Sequence, residues 1–477
     1  MDTAQIRDRL THPIVDADGH LLEFVPLVRD FVAEIAGAEV AKRFDAVTRG
    51  SALTRALDVK TKRSLGLARH GWWGLPARNT LDRATATIPK LLHSRMDEIG
   101  LDVAVLYPTL GLMPMALDDD ELRRALARAC NRYYAECYGA YRDRLLPVGI
   151  IPTFTPEEAI EELEYATRTL GVRGFLFGGL VLRPVPGHES VRAARWLDGL
   201  GLDSAHDYDP LWRRCVQLGV SPTFHSTGIG FGSRNSPTNY VANHVGNFAA
   251  GNEAIARSLF FGGVPRRFPE LRFAFLEGGV AWGCTLYADI LGHFEKRNRD
   301  AIAHYDPALL DRAELERLIA RDAPPSFRER IGRLDEALGF LSDPGENRDA
   351  LDEFAPSGIG RAEDVRDVFT RQYFFGCEAD DPTNAFAFDA RVNPQGARLN
   401  AMFASDIGHW DVPDFRGVLP EAFELVEHGL VDEAGFRAFA FENVVRLFGG
   451  TNAKFFEGTV VAEEARKILE RGASEPA

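Results

Sequence analysis

The chain has 477 residues, a formal net charge of −15 and no basic block that stands out to neutralise phosphates, so nucleic acid and anionic membrane are not expected as partners. Its five cysteines show no C-x-x-C spacing, which argues against a disulfide framework or zinc knuckle and for a reducing compartment. The opening MDTAQIRDRL is too polar for a signal peptide and no apolar run reaches the roughly 18 residues of a membrane span, so a cytoplasmic location is expected.

The first apolar run lies at 14–18, inside IVDADGHLLE. If it is a regular strand, residues two apart share a face, and Asp16, Asp18 and His20 line up on one side. Further Val-, Ile-, Leu- and Phe-rich runs follow at 103–107, 146–151, 172–177, 221–225, 272–277, 373–377 and 402–406. Helical patterns separate most of them, as in DDDELRRALARACNRYYAECYGAYRDR, acidic at its start and basic at its end. Eight strands alternating with helices predict an α/β fold, a closed (β/α)8 TIM barrel forming one domain over residues 1–477. A doubly wound open sheet is the runner-up, but DADGHLLE is no phosphate loop.

Three connections exceed simple βα units. Those at about 24–90, with HGWWGLPARNT, and at about 226–262 leave the C-terminal ends of strands and read as a lid and a pocket wall. The third, about 295–370, is charged and helical; it reads as packing or oligomerisation, and a homodimer is compatible with it.

Polar residues gather at the predicted strand ends: Asp18 and His20 on the first, His225 on the fifth, Glu277 on the sixth, Glu378 on the seventh, Asp406 on the eighth with His409 beyond. Imidazoles and carboxylates from several strands are what a metal site needs, and this set suits Zn²⁺ or Mn²⁺ equally. Bland alternatives accompany each residue. His20 and His225 are each explicable as core histidines, Asp406 as a helix N-cap and Glu277 as an orienting group, whereas Asp16, one layer below, reads first as a hydrogen-bonding residue of the barrel floor rather than a ligand. Cys377 reads as a small buried hydrophobe.

DADGH, TFH, LEGG and ASDIGHWD, one at each of four strand ends, resemble the amidohydrolase-related family of metal-dependent barrels, which includes aminocarboxymuconate-semialdehyde decarboxylase and aromatic-acid decarboxylases. The resemblance extends to the closing FENVVRLFGG and implies metal ligation by Asp18, His20, His225 and Asp406. No lysine ends the fourth strand, at GFLFGG, so the resemblance implies one divalent cation rather than two. It also exposes a departure: Glu277 stands where those decarboxylases carry histidine before the GG pair.

A carboxylate beside a cation is held ionised, so Glu277 favours activating a metal-bound water over receiving a substrate carboxylate. The main expectation is therefore a metal-dependent hydrolase acting on a small cyclic or aromatic molecule, with Asp406 and Glu277 moving protons. The alternative is a non-oxidative decarboxylase of an aromatic or unsaturated acid; a silent binding protein is remote. Trp72, Trp73, His244, His409 and Trp410 fall in connections at the mouth and are the substrate-pocket candidates, although Trp72 and Trp73 are equally explained by packing the lid.

Overall fold

The computed structural model describes residues 1–71, 76–191, 193–340 and 351–474. Eight parallel strand positions follow one another around a ring: β1 (Val15–Leu21), β2 (Val103–Pro108), β3 (Leu145–Pro147 and Gly149–Ile151), β4 (Phe175–Phe177), β5 (Pro222–Phe224), β6 (Phe273–Phe275), β7 (Tyr373–Glu378) and β8 (Asn400–Ala404). β3 is split at Val148. Its first half pairs with β2 and its second with β4, while Val148 N–H donates to Leu106 O at 3.0 Å across the break. The ring closes where Asp406 N–H donates to Asp18 O (3.0 Å) and His20 N–H to Ile407 O (2.8 Å). This is a (β/α)8 barrel, and each expected strand window overlaps one of its strands.

Val15, Ala17, Val105, Leu176, Ala274, Leu276, Phe374 and Met402 are buried in one interior cluster together with Phe441, Val445, Phe448 and Phe455 of the C-terminal segment. That segment plugs the lower mouth. Asn443 Nδ2 donates to Ala401 O at 2.8 Å and Ser221 Oγ to Leu447 O at 2.8 Å, tying the helix Asn443–Gly449 to β8 and to the entry of β5. Only the C-terminal ends of the strands are left to open onto a site, as in other barrels.

β1 departs from the regular strand expected for it. Its register against β2 slips between Asp16 and Gly19, where three steps along β1 match two along β2. Such a bulge breaks the two-residue alternation. Asp16 consequently turns to β8: its carboxylate accepts from Ser405 N–H (2.9 Å), Ser405 Oγ (2.5 Å) and Asp18 N–H (3.1 Å). Burial raises its pKa to about 6 against those bonds. Asp16 is thus a tie between the first and last strands.

The helix expected near 118–144 runs from Asp120 to Tyr138, capped by Asp119, which accepts from Leu122 N–H. It packs on the barrel partly through Glu23, just past β1. The buried Glu23 carboxylate accepts from Leu110 N–H (2.8 Å), Gly111 N–H (2.9 Å) and Tyr134 Oη (2.7 Å). Glu23→Ala would orphan three donors at once, and a loss of about 3 kcal/mol in a urea unfolding titration is expected; a loss below about 1 kcal/mol would mean that water replaces the carboxylate.

An element absent from the sequence reading follows β4: an antiparallel hairpin of Val181–Pro184 against Arg195–Asp198. Its strands are too short and too interrupted by proline and glycine to stand out as a periodic run. No helix among the described residues is long and apolar enough to cross a membrane.

Candidate metal centre

At the open mouth, the ends of β1, β5, β6 and β8 bring their polar side chains to one point. His20 Nε2 lies 3.5 Å from Asp18 Oδ1 and 3.4 Å from Asp406 Oδ1, and His225 Nε2 lies 2.5 Å from Glu277 Oε2. Ligand-type atoms of Asp18, His20 and His225 lie within 4.8 Å of one another, as do those of His20, Glu277, Asp406 and His409. A third such group, Glu277, Glu378 and Asp411, extends from the second through Glu277.

Backbone geometry helps to aim two of the carboxylates. Glu277 (φ +54°) and Asp406 (φ +49°) both occupy the left-handed region directly after their strands. That conformation costs a non-glycine residue about 1–2 kcal/mol, and strain of this kind collects at functional sites. Gly408 (φ +96°) lets the following loop fold back over β1, where a Cβ would lie 2.7 Å from His20 O. The loop thereby stacks His409 on His20, with ring centroids 3.7 Å apart, and sets His409 Nδ1 2.8 Å from Asp406 Oδ1.

Asp18, His20, Glu277 and Asp406 are buried. Asp18 Oδ1, both ring nitrogens of His20 and of His225, Glu277 Oε2 and both Asp406 oxygens lack a well-formed hydrogen bond. Buried polar groups are ordinarily paired. Here carboxyl oxygens and imidazole nitrogens crowd together without completing well-formed hydrogen bonds. Burial pushes the carboxyls of Asp18, Glu277 and Asp406 well above the usual range and the imidazoles of His20 and His225 down. Burial, with Glu277 nearby, lifts Glu378 to about 8, and burial takes His409 to about 3. Converging carboxylates and neutral imidazoles form a donor set short of positive charge, and a divalent cation fits it.

A cavity of about 1170 Å³ reaches this centre at His225 and Phe248. Its walls are Leu112, Met115, Phe154, Phe177 and Phe231, with residues 59–70 of the first insertion and 226–238 of the second. The two insertions are joined by Arg69 N–H donating to Ser236 O (2.8 Å) and Asn243 Nδ2 to Arg69 O (3.1 Å).

Of the pocket candidates, His409 joins the donor cluster itself. His244 and Trp410 meet each other at the rim, 5.7 Å between ring centroids, and His244 also meets Phe248 at 5.6 Å. Neither lines the cavity at the centre. Trp72 and Trp73 lie outside the described residues. Asp411 and Phe248 were missed by the sequence reading; for Asp411 the signal was present, since it lies five residues after Asp406 in the same loop.

The sequence profile of the amidohydrolase family matches residues 15–339, from β1 past β6. The chain belongs to the amidohydrolase family. Among curated proteins, this amidohydrolase is 27% identical over 161 residues to 2-amino-3-carboxymuconate-6-semialdehyde decarboxylase of Dictyostelium discoideum; the match covers 34% of the chain and spans only 40% of that enzyme's length. Among solved structures, a dihydroxybenzoic acid decarboxylase from a Polaromonas species, with bound manganese and an inhibitor, superposes with a TM-score of 0.50 at 14% identity, covering 94% of this chain and 100% of that one. The 5-carboxyvanillate decarboxylase of Sphingomonas paucimobilis gives 0.49 at 13% identity, covering 92% and 99%. At these identities the superpositions speak for the barrel alone.

Proposed function

We propose that this amidohydrolase is a metal-dependent, non-oxidative decarboxylase of an unsaturated or aromatic acid. The observation that carries the reading is the cavity that reaches the centre: in a chain of net charge −15, no Asp or Glu is among the described residues that line it. An anionic substrate can enter without meeting a like charge. The curated relative acts in the same direction, being a decarboxylase. Hydrolysis, the main expectation from the sequence, thereby becomes the second reading.

Asp18, His20, His225 and Asp406 would hold one divalent cation, Zn²⁺ or Mn²⁺; manganese is the metal bound in the Polaromonas structure. The cation would supply charge that binds and polarises the oxygens of the substrate acid. Asp406 moves the proton. Its carboxyl is buried beside Glu277, which raises its affinity for a proton, and His409 Nδ1 at 2.8 Å links it towards the loop. In the reaction the bond between carbon and carboxylate breaks, CO2 leaves without the bonding pair, and the carbon that keeps the pair takes the proton from Asp406. Phe248 and Phe177 keep the cavity wall apolar, so that water does not compete for that carbon.

Glu277 is the observation that favours hydrolysis. Its Oε2 is 2.5 Å from His225 Nε2, where a carboxylate could take a proton from water. Incubating the metal-loaded protein with hydroxylated aromatic acids, unsaturated acids, lactones and amides separates the readings by mass spectrometry: loss of CO2 supports the decarboxylase, gain of water the hydrolase. Glu277→Gln sharpens the test. If Glu277 serves water activation, the rate falls by about a hundredfold or more with the metal retained; in the decarboxylase the fall is expected to stay within about tenfold, because the proton comes from Asp406.

A further inference from the structure

The far end of the cavity has a chemistry of its own. Arg63, on the short helix Val59–Ser64 of the first insertion, and Arg195, on the second strand of the hairpin, both line it. Neither guanidinium has an ion-pair partner among the described residues; Arg195 Nη1 donates only to Val191 O (3.1 Å) and Ala194 O (3.2 Å). Most other arginines of this acidic chain are paired with a carboxylate, including Arg183 one strand away, held by Asp198 at 3.0 Å.

The hairpin register shows how far Arg195 is from the barrel. Val181 pairs with Asp198 next to the end of β4, and Pro184 pairs with Arg195 three residues farther out. At about 3.4 Å per residue the tip stands roughly 10 Å beyond the base. The base itself lies close to the centre's strand, since a Cβ on Gly179 would fall 2.2 Å from Ser226 Oγ, the residue after His225. The first insertion meets the hairpin at its tip: a Cβ on Gly66 would lie 3.2 Å from Ala193 Cβ, two residues from Arg195. The first insertion and the hairpin therefore carry two cations, without ion-pair partners among the described residues, to the outer end of a cavity whose inner end is His225 and Phe248.

We infer that Arg63 and Arg195 form a distal anion subsite, and that the substrate is an elongated, largely apolar acid with a second anionic group at the end remote from the reacting carboxylate. A charge-assisted bond to a guanidinium is stronger than a neutral one, and a guanidinium suits carboxylate, phosphate or sulfonate alike. The apolar walls between the two ends accept the linking carbon skeleton. The inference rests on the reading that this cavity receives the substrate acid.

The test is binding, read by calorimetry on the metal-loaded protein with a graded set of straight-chain α,ω-dicarboxylates, each compared with the monocarboxylate of equal length. The native protein is expected to bind one span of dicarboxylate about tenfold more tightly than its monocarboxylate, and the Arg63→Gln/Arg195→Gln double variant to lose that preference. The single variants report which guanidinium carries it, and a melting curve on each verifies that the variant is folded. Equal affinities in the native protein, or a preference that survives in the folded double variant, overturn the subsite and leave the decarboxylase reading intact. Preference without CO2 release from any acid removes the decarboxylase reading and leaves the subsite.

Discussion

Asp406→Asn is expected to slow CO2 release by about a thousandfold in a protein that remains folded. Asparagine keeps the size of the side chain and one oxygen, but it cannot hold and deliver a proton. In the proposed reaction this carboxyl delivers the proton; it is buried beside Glu277, with His409 Nδ1 2.8 Å from one oxygen and His20 Nε2 3.4 Å from the same atom. Folding is expected to survive, because both Asp406 oxygens lack a well-formed hydrogen bond that the fold would lose, and because asparagine tolerates the left-handed backbone found here at φ +49°. The measurement is the initial rate of CO2 release at saturating acid, with metal content and far-ultraviolet circular dichroism taken on the same preparation. A rate within about tenfold of native at full metal occupancy would assign the proton to another group, His409 being the next in line.

The second large effect is on the cation itself. Native protein loaded with Zn²⁺ or Mn²⁺ is expected to hold close to one equivalent per chain, and His225→Ala to weaken binding by about a hundredfold. The imidazole is buried, both its nitrogens lack a well-formed hydrogen bond, and it is one of the two histidines grouped with Asp18. Loading should also raise the melting temperature of the native protein, since binding stabilises by about 2.7 kcal/mol at a hundredfold excess over Kd, and it relieves the crowding of carboxylates around His20 and Glu277. The variant should show little of that increase. Two equivalents in the native protein would instead draw attention to Glu277, Glu378 and Asp411, and undiminished binding in His225→Ala would remove this residue from the ligand set.

Glu277 shows how the sequence and the comparisons divide the question of reaction. A carboxylate in place of the histidine of the resembled decarboxylases argued for water activation. The structure surrounds that carboxylate with others, Asp406 on one side and Glu378 and Asp411 on the other, so that burial and mutual repulsion drive it towards the protonated form. Without a cation, a protonated Glu277 cannot serve as a base, and the argument for hydrolysis depends on how much of the cation's charge reaches it.

Much was legible along the chain by itself. Eight apolar runs separated by helical patterns were enough for a parallel barrel, because strands covered on both faces read as continuous hydrophobic runs. The rule that barrel chemistry gathers at the C-terminal strand ends then selected Asp18, His20, His225, Glu277 and Asp406, which the fold does bring together. What the tertiary structure alone decided depends on register and on long-range approach. A hydrogen-bonding role for Asp16 was legible, but the bulge in β1 and the choice of Ser405 as its partner, a shift of one residue, are not encoded by hydrophobic pattern. The left-handed turn at Gly408 stacked His409 on His20, so that a loop residue joins the donor cluster. Most of all, Arg63 and Arg195 are 132 positions apart, on elements with no periodic signature, and only the meeting of the first insertion with the hairpin tip makes them neighbours of one cavity. Local pattern reports what each segment buries; which unpaired charges end up facing the same space is set by the packing of segments distant in sequence.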